Sequence, residues 1–108
     1  MKKFFGALFV CFICFTNICS AMSHAEAYDL ICGMWQRADG VNFKITETSF
    51  GKASYTIQEV SDEEGEIVIT IAVNGGRTID TLTFERGNED HMYLYNLTTN
   101  FSTEYDRI

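Results

Sequence analysis

Proline is absent from this 108-residue chain, tryptophan occurs once, histidine twice, and lysine and arginine together only eight times. Each scarcity closes off a class of function. Eight basic residues against fifteen acidic ones give a formal charge of −7. Nucleic-acid binding rests on lysine and arginine neutralising phosphates, so nucleic acid is not an expected partner, and an anionic membrane surface is disfavoured for the same reason. One histidine, His24, sits near the start, so any Ser-His-Asp or Cys-His system would have to be built on His91 alone. Beside Asp90 at the start of a strand, His91 reads as a solvated turn residue. Asp62, Glu63, Glu64 and Glu66 surround Gly65 without the alternating spacing of a calcium loop, and read as a wet turn. No helix follows Gly75-Gly76, as a phosphate-cradling loop would need. No catalytic residue, metal or cofactor is therefore expected, and the chain does not read as an enzyme.

What is present begins with an export signal. Lys2 and Lys3 make a basic start, Phe4 to Cys19 is a nearly unbroken apolar run, and Ser23-His24-Ala25 offers small side chains at both recognition positions of a cleavage site. The apolar run falls short of the roughly 20 residues that span a bilayer. Residues 1–25 are expected to be removed, with cleavage after Ala21 as the close rival, and the product to be periplasmic or extracellular, with no membrane attachment. Removal takes Cys11, Cys14 and Cys19 and leaves Cys32. One thiol cannot staple a monomer, so Cys32 is either a small buried hydrophobe or a link between two chains in an oxidising compartment. Residues 26–108 then form one small domain, with six basic side chains against all fifteen acids, a balance of −9. Opposite charge would steer a basic protein partner toward it.

Hydrophobic periodicity in that domain is helical once and strand-like thereafter. Tyr28 and Ile31, with Glu26 and Asp29 early, mark a single helical turn. From Met34 the period is two. Val41, Phe43 and Ile45 alternate with Asn42, Lys44 and Thr46, and Asp39-Gly40 supplies the hairpin back to Trp35. After a turn at Ser49-Phe50-Gly51, residues 52–60 place Ala53, Tyr55 and Ile57 on one face. Ser61 to Gly65 breaks the chain. Ile67, Ile69, Ile71 and Val73 follow, with Val68 and Ala72 between them, as a central strand apolar on both faces. Asn74-Gly75-Gly76 is the strongest hairpin signal. Ile79 is out of step with Leu82 and Phe84, so a β-bulge is expected near Asp80-Thr81. Met92 and Leu94 face oppositely to Tyr93 and Tyr95, and the last strand sets Phe101, Thr103, Tyr105 and Arg107 on one face. Asn96-Leu97-Thr98 and Asn100-Phe101-Ser102 match the glycan acceptor pattern, which marks an exposed loop in a eukaryotic setting. Seven short strands with tight turns make an antiparallel meander. Closing it into a barrel removes its two exposed edges, with a two-sheet sandwich as the alternative.

Gly33-x-Trp35 after a short helical turn, an all-β meander and an arginine on the last strand together resemble the lipocalin-like (calycin) barrels. The resemblance implies that Gly33 and Trp35 open the first strand and that Arg107 packs across the indole to close one end of the barrel. It also implies a binding protein that holds a small hydrophobic molecule in a shallow interior, lined by Phe43, Tyr55, Ile69, Leu82, Phe84 and Met92. The chain is shorter than an ordinary lipocalin, with seven strands where eight are expected, so the same six side chains are candidates to fill the interior themselves. The alternative reading is an acidic inhibitor or immunity-type module that docks on a basic protein.

Overall fold

The computed structural model describes residues 22–108. One helix, α1 (His24–Ile31), precedes eight strands: β1 (Gly33–Arg37), β2 (Asn42–Ile45), β3 (Ser49–Phe50), β4 (Ala53–Glu63), β5 (Glu66–Val73), β6 (Thr78–Glu85), β7 (Asn88–Asn96) and β8 (Phe101–Arg107). Every strand pairs antiparallel with its neighbour in sequence, and β8 returns to pair with β1, so the sheet closes into a barrel. The closing register sets Trp35 opposite Arg107 and Arg37 opposite Tyr105.

The eighth strand comes from the segment read as a turn. Ser49-Phe50 is only two residues long, yet Phe50 pairs with both Ile45 and Ala53 and so links β2 to β4. A strand this short has no periodicity of its own and emerges only because both neighbours offer ladders. β4 is also longer than expected, running through Glu63, so that the β4–β5 turn narrows to Glu64-Gly65, both at positive φ.

No bulge lies at Asp80-Thr81. Thr81 is paired without interruption to Thr70 on one side and Tyr95 on the other, and a bulge there would have to break two ladders at once. β6 therefore keeps strict alternation. Asp80 points inward with Leu82 and Phe84, and Ile79 points out. The irregularities lie elsewhere, between Ile57 and Glu59 in β4 and between Thr83 and Glu85 where β6 meets β7. The first makes Gln58 an extra residue, which flips the parity downstream. Val60 and Asp62 are thereby paired with the inward Ile69 and Ile67.

The core is continuous through the barrel. Trp35, Phe84, Ile31, Ile45, Ile67, Ile69, Ile71, Leu82 and Met92 are the largest fully buried side chains. α1 plugs the end at which β1 begins and β8 ends. Ser23 caps the helix by accepting from Glu26 N–H, and the Glu26 carboxylate accepts from Ser23 N–H in return, satisfying two backbone donors that a helix start leaves open. Cap and first turn thus include Ser23, His24 and Ala25, upstream of the expected turn from Glu26.

Candidate functional site

At the plugged end, the residues singled out as barrel-closing meet in one cluster. Trp35 is completely buried, and its indole N–H donates to the Ile31 carbonyl (2.9 Å) at the helix C-terminus. Phe84 lies against it at 5.9 Å between ring centroids. The Arg107 guanidinium carbon stands 4.3 Å from the indole centroid. The same guanidinium donates to the carbonyls of Leu30 (2.6 Å) and Cys32 (2.9 Å), and to the Asp90 carboxylate (2.9 Å). α1 has no basic residue in its own last turn. Arg107 supplies, through the fold, the positive charge that the negative end of the helix favours. Gly33 explains itself here. Its φ is +143°, and a Cβ on it would lie 2.8 Å from Arg107 Nη1, so only glycine lets the guanidinium reach the helix carbonyls. Asp62, turned in by the extra residue in β4, pairs with Arg86 nearby.

Of the six interior candidates, Ile69, Leu82, Phe84 and Met92 are 0% exposed. No space wide enough for a water molecule lies against them. Tyr55 is also buried, and its hydroxyl donates to the Thr46 carbonyl (2.7 Å). Phe43 is partly exposed and joins an aromatic chain toward the open end, with Tyr105 at 4.8 Å, Phe50 at 5.0 Å, and Phe50 in turn 6.0 Å from Tyr55. These side chains pack on one another as the interior's own filling.

Asp80 was not singled out from the sequence. It is 5% exposed, in register between Ile71 and Asn96, and its Oδ1 has no hydrogen-bond partner among the described residues. Burial pushes its carboxyl above the usual range, because a charge in dry surroundings loses its hydration. The folded state then holds this proton more tightly than the unfolded chain. The contribution of Asp80 to stability is accordingly complete below the ordinary carboxyl pKa and is lost as pH rises through the folded value. Asp80→Asn is expected to raise stability by about 1 kcal/mol at pH 7 and by nothing near pH 3. Urea denaturation at the two pH values measures this, and equal gains at both would contradict it.

The outer face of β6, β7 and β8 carries two exposed tyrosines. Tyr93 is 41% and Tyr95 37% exposed, facing away from the buried Met92 and Leu94 as their alternation requires. In register, Tyr95 lies between Thr81 and Ser102, and Tyr93 between Thr83 and Glu104. A concavity of about 190 Å³ runs between them, lined by Thr83, Tyr93, Leu94, Tyr95, Ser102, Thr103 and Glu104. Two further concavities also lie outside the barrel, one beside the β4–β5 turn and one beside α1.

His91 belongs to this face and not to a turn. Its Nδ1 meets Asp106 at 2.6 Å and its Nε2 meets Glu104 at 2.9 Å. Two carboxylates engage both ring nitrogens only when both carry protons, and the bond to Asp106, then that to Glu104, pushes the imidazole pKa up against partial burial. A raised folded pKa stabilises the fold below the unfolded value near 6.5 and loses that effect as pH rises through the folded value. The stability difference between wild type and His91→Gln is therefore expected to be largest at pH 6 and to shrink by pH 9. A difference independent of pH would rule the ion pairs out.

Cys32, the one cysteine among the described residues, is partly buried. Burial, then Glu47 and Asp29, push its thiol pKa up, which holds it in the unreactive protonated form. No group of three or more metal-ligating side chains is found among the described residues. The expected export signal, residues 1–25, falls almost wholly outside the described residues. No protein-family model, no curated protein and no solved structure matches this chain. What its own geometry establishes is a closed antiparallel eight-stranded β-barrel with one short helix, compatible with a calycin-like fold.

Proposed function

We propose that this chain is an exported, acidic protein-binding module that docks on a basic protein through the outer face of β6, β7 and β8. One contrast carries the reading: the interior is filled by its own side chains, with Ile69, Leu82, Phe84 and Met92 wholly buried, while Tyr93 and Tyr95 stand exposed beside Glu104. Exposed tyrosines are the residue type that protein interfaces favour, because they bury much area with few rotors. The −9 balance of residues 26–108 supports long-range capture of a cationic surface.

A kinship with lipocalin-like barrels is part of the proposal and rests on Gly33, Trp35 and Arg107. Carriage of a small hydrophobic molecule, the family's ordinary task, would require the packed side chains to part. Fatty acids are accordingly expected to leave the melting temperature unchanged, and a rise that grows with ligand concentration would restore the carrier reading. Docking is tested by capture from envelope extract at low and high salt, with Tyr93→Ser as control. The expected result is a basic partner whose capture falls with salt and with loss of Tyr93. A partner retained equally by both proteins at all salt concentrations would overturn the proposal.

Export with cleavage after Ala21 fits the helix cap better than cleavage after Ala25, since it keeps Ser23 and its reciprocal bonds with Glu26. Mass spectrometry of the secreted protein is expected to give Met22 as the first residue. Glu26 there would mean that the cap is dispensable.

A further inference from the structure

Tyr93 and Tyr95 are held apart by different neighbours. Tyr93 leans on His91, ring edge to ring face at 4.8 Å between centroids. Tyr95 leans the other way along β7, its hydroxyl donating to Asn100 Oδ1 in the turn before β8. Two residues on one strand face stand about 6.7 Å apart, twice the contact distance between flat π systems. The opening between them is the concavity of about 190 Å³, with Thr83 on one side and Ser102 and Glu104 on the other. Glu104 lines the opening, gives one oxygen, Oε1, to His91 and is 60% exposed at its side chain, so its carboxylate is open to a partner.

Resting on the docking reading above, we infer that this opening is a preformed slot for an arginine side chain of the basic partner. The guanidinium slides between the Tyr93 and Tyr95 rings, and its edge meets the Glu104 carboxylate. Three features select arginine over lysine. The slot is flanked by two tyrosine rings, on which a planar, weakly hydrated cation stacks better than a compact ammonium does. The carboxylate sits at the rim, where it accepts from the guanidinium edge without disturbing the stack. The serine and threonine hydroxyls at the rim accept the remaining N–H groups.

The experiment titrates the full secreted protein with an arginine–glycine repeat peptide and with its lysine–glycine counterpart of equal length, by calorimetry and by amide NMR. The expected result is about fivefold tighter binding of the arginine peptide, with shift changes centred on Thr83, Tyr93, Tyr95, Ser102 and Glu104. Tyr93→Ser and Tyr95→Ser are expected to bring the two peptides within about twofold of each other, the size of gap left when stacking is lost. Tyr93→Phe, which keeps the ring, is expected to retain the preference. Glu104→Gln is expected to weaken both peptides. Equal binding of the two peptides by wild type, or shift changes away from this face, would overturn the slot while leaving an acidic docking surface standing. Failure of both peptides to bind at low salt would overturn the slot and the docking reading together. Because the shift map is read on the unsubstituted protein, the result does not depend on the variants folding.

Discussion

Trp35→Ala is expected to destabilise the barrel by about 3–5 kcal/mol, enough to lower the melting temperature by about 15 °C or more in a domain of this size. The loss combines three effects at one position. A completely buried indole is deleted beside Phe84, leaving a void that the neighbours refill only in part. The Ile31 carbonyl loses its donor, and buried acceptors without partners are costly. Arg107 loses the surface over which it lies. Small domains hold about 5–15 kcal/mol in total, so this one substitution removes a large share. Thermal melting followed by circular dichroism measures it. A midpoint within a few degrees of wild type would show that the helix and barrel are held together by something other than the indole.

Arg107→Met is the second large effect, expected at about 2–3 kcal/mol. It keeps most of the aliphatic stem but removes the donors to Leu30, Cys32 and Asp90, and bonds from a charged donor contribute about 1.5–3 kcal/mol. Arg107→Lys is expected to recover less than half of the loss, because an ammonium is a point charge and cannot span two carbonyls and a carboxylate in one plane. Urea denaturation should show the midpoint falling with the slope unchanged. A double-mutant cycle with Trp35→Phe isolates the contact between guanidinium and ring, expected at about 1 kcal/mol. Full rescue by lysine would mean that charge alone, without the fork, secures the helix.

The candidate surface was half-legible in the sequence. The phase of β7 alone sends Tyr93 and Tyr95 outward once Met92 and Leu94 are taken as inward. Their use as the walls of a slot was not legible, because it depends on Glu104 and Ser102 arriving from β8 and on His91 and Asn100 pulling the rings apart. His91 shows the same limit. Beside Asp90 it reads as a turn histidine, while its actual partners, Glu104 and Asp106, are thirteen and fifteen residues away. The burial of Asp80 is illegible in the sequence for a different reason. Hydrophobic phase argues for putting isoleucine inside and aspartate outside, and two continuous ladders overrule it.

Local chemistry therefore determined a good deal by itself. Alternation with period two located most of the strands, Asn74-Gly75-Gly76 and Asp39-Gly40 located hairpins, and the resemblance of Gly33, Trp35 and Arg107 to the lipocalin-like pattern pointed to a closed barrel end. These features depend on residues a few positions apart, or on a pairing that closure makes unavoidable. Tertiary structure alone decided that a two-residue segment serves as the eighth strand, that the phase of β6 holds through Asp80, and that the interior is filled. Each of those is set by what a neighbouring strand presents across 4.7–4.9 Å, and register between distant segments is a property of the assembled sheet that no single stretch of chain contains.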